Sequence, residues 1–365
     1  MAIKLGFIRR GYKYLPVMIE VFFYNNVPLH YLCHADYTPD SSRPLLKMTK
    51  KILITGCLGQ IGTELTLRLS SEYGAENVLA TDIRPAGEGI TSYARFETLD
   101  VKNAEAVEKI IDENGITDVY HLAAMLSATA EKHPLPAWDL NMNSLLGILE
   151  LARRGKIKQI FWPSSIGVFG PHTQLDGTPQ YTVTDPDTVY GISKLTGELW
   201  CAYYHEKYGV DVRSVRFPGL ISWKAEPGGG TTDYAVDIFH KAVTEGRYEC
   251  FLSANTSLPM LYMPDALDAI VNIMKAPSEK IKVRTSYNLA GVHFTPQELA
   301  CTIKKRIPSF EITYKPDFRQ TIADTWPNYM DESYARRDWG WNFKYGIDEM
   351  ADDMIENLRK KYGKS

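Results

Sequence analysis

The sequence predicts an α/β fold, in which a doubly wound parallel sheet is followed by a smaller C-terminal α/β lobe. From residue 50 onward, β-prone apolar runs alternate with amphipathic helical patterns, an order typical of a parallel sheet with helices on both faces. The first run, Ile52-Leu-Ile54, is apolar at every position, as expected for a central strand covered on both sides. With 365 residues and 44% hydrophobic content, the chain can bury a large core and divide into two lobes.

Short apolar runs between turn residues predict the strands of the first domain at residues 51–55, 78–82, 96–100, 119–123, 159–163 and 212–217. Apolar residues at helical spacing predict helices at 104–113, 234–245, 265–275, 296–306 and 348–361, with shorter strands near Tyr287 and Ile312. We therefore assign residues 50–222 to the first domain and 223–365 mainly to the second, part of which can return to the first.

Residues 1–49 precede the predicted fold as an N-terminal extension. The first nineteen residues carry four basic side chains and no acid, which is the charge bias of a targeting segment, although they contain no serine. Three interpretations stay open: a transit peptide, an additional ordered element, or an overlong start, since Met48 could itself begin the protein. We expect a mitochondrial location, with a cytoplasmic one as the alternative.

Composition narrows the classes of partner. A net charge of −3 gives no general attraction to nucleic acid or to an anionic membrane, so we expect neither as a partner. The five cysteines lack metal-ligand spacing and are too few for a disulfide framework. No metal site is therefore expected, and a reducing compartment fits best.

The turn after the first strand contains Gly56, Gly59 and Gly62, spaced three residues apart. Gly56 can adopt a positive φ angle, Gly59 lets the backbone approach a pyrophosphate, and Gly62 lets the next helix lie close to the strand. Phosphates would then lie at a helix N-terminus, where free N–H groups favour anions. The alternative is a plain structural turn.

Asp82 ends the second predicted strand about twenty residues after Gly62, where an acid can bind the adenosine ribose hydroxyls. Its charge would oppose a 2′-phosphate, which favours NAD, although the nearby Arg84 keeps NADP open. Asp100 and Val101 follow the third strand and are expected at the adenine ring. As alternatives, Asp82 is a helix cap or turn residue and Asp100 a turn residue.

Three polar features on the downstream half of the sheet predict a catalytic site. Ser164 and Ser165 end the fifth strand, and Tyr190 and Lys194 follow about 25 residues later, four apart on one helix face. At about 5 Å and an effective dielectric of about 20, the ammonium would stabilise a phenolate by roughly 3 kcal/mol and lower the phenol pKa by about two units. Tyr190 would then act as a general base while Ser165 steadies the reacting oxygen.

A second tyrosine and lysine with the same spacing, Tyr203 and Lys207, fall on the same predicted helix. Thirteen residues at about 100° each turn Tyr203 roughly 140° away from Tyr190, so the two tyrosines cannot both face one cofactor. We prefer Tyr190 because Thr188 can cap the helix just before it.

These motifs together resemble the extended short-chain dehydrogenase/reductase superfamily of the nucleotide-sugar epimerase type, over roughly residues 50–360. The longer segments that carry Arg84, Gly170, Leu220, Asp233 and Pro327 are similar to those of the epimerase-like L-threonine 3-dehydrogenases. The resemblance implies a Rossmann-type sheet with a smaller substrate lobe, NAD as cofactor, a homodimer, and oxidation of threonine to 2-amino-3-oxobutanoate in threonine catabolism. A nucleotide-sugar epimerase or dehydratase is the runner-up, and a non-enzymatic dinucleotide sensor is the alternative from another class.

The resemblance also implies a set of contact residues. For the cofactor they are Gly56, Cys57, Leu58, Gly59, Gln60, Ile61, Gly62, Asp82, Ile83, Arg84, Asp100, Val101, Leu122, Ala123, Tyr190, Lys194 and Leu220. For the amino acid they are Ser127, Ser164, Ser165, Tyr190, Thr231, Thr232, Asp233 and Trp326.

Two further positions fall in the helical region before the fifth strand. Asn141 matches the asparagine that supports the catalytic lysine through water in that family, whereas Ser144 stands where a glycine is often found. As alternatives to substrate binding, Ser164 and Thr231 could cap or turn the backbone, and Trp326 could belong to the core.

Overall fold

The computed structural model of the protein describes residues 50–364, with the exception of 87, 88, 225, 227 and 229. The expectations for residues 1–49 lie outside the described residues. In the part that is described, no helix combines the length and apolar character needed to cross a membrane.

Twelve strands follow one another along the described chain. They are β1 (Ile52–Thr55), β2 (Val78–Asp82), β3 (Arg95–Thr98), β4 (Asp118–His121), β5 (Gln159–Ser165), β6 (Val212–Phe217), β7 (Gly219–Ile221), β8 (Arg247–Cys250), β9 (Leu258–Tyr262), β10 (Tyr287–Asn288), β11 (Val292–Phe294) and β12 (Glu311–Tyr314).

The α-helices lie between these strands. They are α1 (Gln60–Tyr73), α2 (Ala104–Asn114), α3 (Ser127–Lys132), α4 (Pro134–Trp138), α5 (Ser144–Arg153), α6 (Val189–Tyr208), α7 (Tyr234–Thr244), α8 (Met263–Lys275), α9 (Pro296–Lys304), α10 (Phe318–Ala323), α11 (Ser333–Trp339) and α12 (Ile347–Tyr362). A π-helical segment, Asp139–Asn143, joins α4 to α5.

A seven-stranded sheet with the order β3-β2-β1-β4-β5-β6-β10 forms the first lobe, and all of its strand pairs are parallel. The order reverses at β1, so that β2 and β4 lie on either side of it, with Ile52 opposite Val78 and Asp118. This is the Rossmann-type arrangement, in which ligands bind at the carboxyl ends of the strands where the order reverses. All four residues of β1 are buried, as the apolar run Ile52-Leu-Ile54 predicted.

The second lobe contains two small sheets, one of order β11-β9-β7 and one formed by β12 and β8. Helices α7, α9 and α12 pack together beside these sheets. Their core includes Ile166 and Val168, which directly follow β5, so one apolar cluster joins the end of the large sheet to the second lobe. Two elements beyond residue 222 lie with the first lobe, because β10 pairs with β6 and α8 packs against α1.

Most predicted elements occur with shifted ends. β5 extends to Ser165 because it pairs with β6 as far as Phe217. β3 ends at Thr98, and Asp100 instead forms a turn in which its carboxylate accepts a hydrogen bond from Lys102 N at 3.0 Å. The sequence also did not identify the two-residue strand β10 as the edge of the large sheet.

Candidate active site

The glycine turn between β1 and α1 has no room for a side chain at Gly56 or at Gly62. Gly56 has a φ angle of 70°, and a Cβ atom on it would lie 2.7 Å from Ala123 N. A Cβ atom on Gly62 would lie 2.3 Å from the Gly56 carbonyl oxygen. Since α1 has Gly59 as its N-cap and no side-chain cap, bare backbone surrounds the positive end of the helix. This cradle fits the pyrophosphate of a dinucleotide.

Asp82 reaches back from the end of β2 to this turn. Its carboxylate accepts hydrogen bonds from Leu58 N at 3.1 Å, Arg84 N at 3.1 Å and Arg84 Nε at 3.0 Å. Burial alone would raise the pKa of the carboxyl, but the donors of Arg84 and Leu58 lower it overall. Asp82 therefore remains negative at neutral pH, and Arg84 is occupied by it.

Several other predicted cofactor residues surround the same strand ends. Leu122 N donates to Thr55 O at 3.1 Å, which brings Leu122 and Ala123 beside Gly56. Gln60 Nε2 donates to Leu220 O at 3.3 Å and so links the glycine turn to β7. Cys57 is fully buried, and burial raises the pKa of its thiol to about 12, so it is not a reactive thiolate.

Tyr190 is the second residue of α6. Thr188 caps this helix by accepting a hydrogen bond from Gly191 N at 3.0 Å, as the sequence predicted. The Tyr190 ring rests on Gly167, where a Cβ atom would lie 3.2 Å from the ring. A Cβ atom on Gly191 would lie 2.0 Å from Gly167 O, so both glycines allow α6 to approach the end of β5 closely.

Lys194 is buried beneath Tyr190. Its Nζ atom donates to Pro163 O at 2.6 Å and lies 4.6 Å from the centre of the Trp162 ring and 5.6 Å from that of the Tyr190 ring. Burial lowers the pKa of the ammonium to about 7, although Cys201 and Glu198 act in the opposite direction. The predicted face shared by Tyr190 and Lys194 is therefore present in the structure.

The predicted lowering of the phenol pKa is wrong for the protein by itself. Burial raises the pKa of Tyr190, and its hydrogen bond with Ser165 offsets this only in part. The sequence argument placed a fully charged ammonium beside the phenol oxygen. In the structure, Lys194 lies over the ring and its own positive charge is destabilised by burial.

The two serines at the end of β5 have different partners. Ser165 Oγ accepts a hydrogen bond from Gly167 N at 3.1 Å, and its hydroxyl acts to lower the pKa of the Tyr190 phenol. Ser164 is buried and its hydroxyl donates to Glu198 Oε1 at 2.6 Å. The hydroxyl hydrogen of Ser164 is thus used inside the protein, which gives this residue a structural role and argues against the expected donor role toward a substrate.

Glu198 and Arg216 form a buried ion pair behind the site that the sequence analysis missed. Arg216 Nη2 and Nε donate to the carboxylate at 2.7 and 2.8 Å, and Arg216 Nη1 donates to Asn288 Oδ1 at 3.0 Å. A signal was available, because Glu198 lies four residues after Lys194 and continues the face of Tyr190.

The predicted substrate residues of the second lobe lie in two segments, the turn before α7 and the loop after α10. Asp233 Oδ2 accepts from Gly230 N at 2.9 Å and so closes the turn before α7. A Cβ atom on Gly219, the neighbour of Leu220, would lie 2.7 Å from Thr232 Cβ, and Thr231 is buried beside it. Trp326 is 7% exposed and belongs to the same apolar cluster as Ile166.

Ser127 and Asn141 lie in segments that pack against α6. Ser127 begins α3, which packs against α6. The Asn141 amide pairs with the backbone of Met125 at 2.8 and 3.2 Å and donates to Ser193 Oγ at 3.1 Å. Its direct partners are therefore Met125 and Ser193, rather than Lys194.

Tyr203, the competing tyrosine, is exposed and packs edge to face against Trp200 and Tyr208. It lies on a different face of α6 from Tyr190, as the helical geometry predicted. Within the described ranges, no group of three or more His, Cys, Asp or Glu side chains is placed to hold a metal ion.

Comparisons with known proteins agree with this geometry. A profile of the NAD dependent epimerase/dehydratase family matches residues 52–290. An uncharacterized epimerase/dehydratase of Staphylococcus haemolyticus is 49% identical over 314 residues, which cover 86% of this chain and 98% of that relative. A GalE-like L-threonine dehydrogenase of Cupriavidus necator in its holo form is 54% identical, with a TM-score of 0.83 and coverage of 84% and 99%.

A third similar structure is an L-threonine 3-dehydrogenase from a metagenome, described as monomeric and in its apo form. It is 46% identical to this chain, with a TM-score of 0.82 and coverage of 85% and 99%.

These comparisons correct the predicted location. The curated relatives are proteins of several Staphylococcus species, and bacteria have no mitochondria. The expectation of a mitochondrial location is therefore wrong, and the bacterial relatives favour the cytoplasmic alternative.

Proposed function

The chain belongs to the NAD dependent epimerase/dehydratase family, and from that premise we propose that it oxidises L-threonine at its side-chain hydroxyl to 2-amino-3-oxobutanoate, a step of threonine catabolism. It is an NAD-dependent oxidoreductase. The observation that carries the proposal is the grouping of Tyr190, Lys194 and Ser165 at the carboxyl end of β5, two strands from β1 and the glycine turn in the same parallel sheet. The choice of threonine rests on the similarity to solved structures described as threonine dehydrogenases.

In this proposal, Tyr190 removes the hydroxyl proton of the substrate as a phenolate, which the positive charges of Lys194 and of a bound nicotinamide would stabilise against the burial that raises its pKa. When bound, NAD supplies the acceptor for the hydride. Ser165 Oγ accepts a hydrogen bond from Gly167 N, and in the reaction its own hydrogen would be donated to the reacting oxygen. Lys194 is held by Pro163 O, directs its positive charge toward the Tyr190 ring and would hold the ribose of the cofactor.

The glycine turn, Asp82 and Leu220 would bind the remainder of the cofactor. Asp82 would accept from the ribose hydroxyls, and its charge would oppose a 2′-phosphate. Gln60 would keep Leu220 close to the turn through its hydrogen bond to the Leu220 carbonyl.

For the amino acid, we propose a site between the end of β5 and the turn closed by Asp233. A small zwitterion offers little apolar area, so its affinity must come from polar groups that pair with its carboxylate and ammonium. Ser127, Thr231 and Thr232 would supply donors to the carboxylate. Trp326 would exclude water from the reacting atoms, since its ring packs in the cluster that contains Ile166.

We also propose that the chain forms a homodimer through the outer face of α6. Monomeric proteins seldom expose large apolar patches, and this face exposes Ile192, Leu199, Trp200 and Tyr203. Sedimentation should show a dimer that Leu199→Glu dissociates. A monomer at all concentrations would contradict the proposal; one similar structure is described as monomeric.

The catalytic proposal is tested by following the absorbance of reduced cofactor with NAD and L-threonine, and in parallel by supplying UDP-galactose. We expect threonine-dependent reduction that Tyr190→Phe abolishes without loss of NAD binding. The control Tyr203→Phe also removes a phenol hydroxyl, but at an exposed position of α6, and it should change the rate of threonine oxidation little. Epimerisation of UDP-galactose without threonine oxidation would favour the runner-up, and NAD binding with neither reaction would favour a sensor.

A further inference from the structure

His121, the last residue of β4, lies between two hydroxyl groups in the interior of the first lobe. Thr55 Oγ1 is 2.8 Å from His121 Nδ1, and Ser144 Oγ is 2.9 Å from His121 Nε2. All three residues are buried. None of them was a predicted contact residue of the cofactor or of the substrate.

The direction of each hydrogen bond follows from a count of the available hydrogens. Ser144 Oγ is 2.5 Å from Leu140 O, and because a carbonyl oxygen can only accept, the single hydroxyl hydrogen of Ser144 points there. At the contact between His121 and Ser144, the imidazole must therefore donate. A neutral ring that is protonated at Nε2 accepts at Nδ1, where Thr55 is the donor.

The surroundings keep the His121 ring neutral. Burial lowers the pKa of His121 to about 3, and the nearby charge of Lys194 acts in the same direction. The hydrogen bonds thus run in one direction, from Thr55 through His121 and Ser144 to the Leu140 carbonyl.

Leu140 connects this chain of hydrogen bonds to α6, the helix that carries Tyr190. It precedes Asn141 in the π-helical segment, whose wider turn presents residues at angles that a regular helix does not. Asn141 donates to Ser193 Oγ at 3.1 Å, and Ser193 Oγ donates to the carbonyl of Tyr190 at 2.7 Å. The hydroxyl of Ser144 is therefore linked to the backbone of the proposed base.

We propose that Ser144 is a positioning residue: its hydroxyl fixes His121 as the Nε2–H tautomer and holds the π-helical turn in the geometry that directs Asn141 to the catalytic helix. Without that hydroxyl, the N–H group of His121 would lose its acceptor in a dry interior, and the Leu140 carbonyl would lose a donor. The part of the proposal that concerns turnover rests on the proposed dehydrogenase function, whereas the tautomer does not depend on it.

The tautomer is tested on the full-length protein with ¹⁵N-labelled histidine, because protonated and unprotonated ring nitrogens have well-separated ¹⁵N shifts. The signals of His121 are identified by their loss in His121→Gln. We expect a proton on Nε2 that is protected from exchange in the unchanged protein. In Ser144→Ala, that signal should shift and lose its protection, while Ser144→Thr, which keeps the hydroxyl, should retain it. A proton on Nδ1 in the unchanged protein would overturn the proposal.

Kinetics supply the second measurement. We expect Ser144→Ala to lower kcat for threonine oxidation roughly tenfold, because the base is slightly misplaced, and to leave KM within about twofold. Ser144→Thr should restore kcat. The control is Ser70→Ala, which removes a buried helix hydroxyl for which the described residues supply no partner, and which should change neither the spectrum nor the rate.

Equal losses in the Ala and Thr variants would show that side-chain volume matters rather than the hydroxyl, and would overturn the proposal. So would an unchanged His121 spectrum in Ser144→Ala. If the protein does not oxidise threonine at all, the proposed function fails, while the spectra still decide the role of Ser144.

Discussion

Asp82 keeps its negative charge in a nearly buried position because two backbone N–H groups and the Arg84 side chain surround it. The same arrangement explains why Arg84 does not compensate for a 2′-phosphate, since its guanidinium already faces the carboxylate. Cofactor choice is thus expected to depend on this one carboxylate.

We predict that Asp82→Ala lowers the preference for NAD over NADP by about tenfold or more, because it removes the repulsion and frees Arg84. The measurement is the ratio of kcat/KM for the two cofactors. Glu97→Gln, which removes an acid from the neighbouring strand β3, is the matched control. An unchanged protein that already uses both cofactors equally well would show that Asp82 is not at the ribose.

Lys194 is a buried cation with a lowered pKa, so its charge destabilises the folded protein. The folded pKa of about 7 lies below the ordinary value of 10.5. Stability therefore falls as the pH drops from about 10.5 to 7, and below pH 7 the full cost of burying the charge is present.

We predict that Lys194→Met abolishes turnover yet raises the free energy of unfolding by about 1–3 kcal/mol at pH 6. This gain should shrink steadily as the pH rises from 7 toward 10.5, so that it is clearly smaller at pH 9 than at pH 6. Urea unfolding at both pH values measures it. A variant that is less stable than the parent at pH 6 would mean that the bonds of Lys194 to Pro163 and Trp162 outweigh the burial of its charge.

These residues show what the sequence could and could not predict. The positive φ angle of Gly56, the close packing at Gly62 and the position of Asp82 beside the turn were predictable, because they depend on local spacing within one strand, turn and helix. The pKa values of Tyr190 and Lys194 were not, because they depend on how deeply the fold buries them. The partner of Ser164 was also hidden, since it comes from a helix more than thirty residues away.

Helix α6 carries both the chemistry and part of the core. Tyr190, Lys194 and Glu198 recur every four residues along it, and Glu198 pairs with Arg216 on β6. This buried ion pair joins α6 to β6 next to Ser164, which donates a hydrogen bond to Glu198. Removal of one partner would leave the other as an uncompensated charge.

We predict that Glu198→Gln lowers the free energy of unfolding by about 3–5 kcal/mol. The double variant Glu198→Leu with Arg216→Met should lose less than the sum of the two single changes, because no charge is left unpaired. Denaturant unfolding measures each value. Glu356→Gln, which breaks an exposed ion pair on α12, is the control and should have almost no effect.

Among the elements, those marked by a clear run of apolar residues were predictable, whereas those defined by pairing with another strand were not. β2 and β6 have the predicted bounds, because runs of buried residues set both ends. β10 has only two residues, too few for any alternation, and its place beside β6 is fixed by tertiary packing. The π-helical segment leaves no distinctive pattern in the sequence, so the surroundings of Asn141 could not be derived.

The two lobes share one apolar cluster, which supports the proposal that the second lobe contributes to the site. Trp326 belongs to the cluster together with Ile166, which follows Ser165 directly. A change at Trp326 should therefore weaken the binding of the amino acid more than the binding of the dinucleotide.

We predict that Trp326→Ala raises KM for threonine about tenfold or more while the dissociation constant of NAD changes less than about twofold. Steady-state kinetics and calorimetric titration with NAD measure the two values. Because the ring is buried, circular dichroism must first show that the variant is folded. Near-normal threonine kinetics would assign Trp326 to the core alone.

The close approach of Gly62 to the Gly56 carbonyl also limits which amino acids can replace this glycine. Every amino-acid replacement of Gly62 adds a β-carbon, and that atom would lie 2.3 Å from a backbone oxygen which no rotamer change can move. Even alanine, the smallest replacement, would therefore not fit at this position. A replacement of Gly62 is therefore expected only together with a rebuilt turn between β1 and α1.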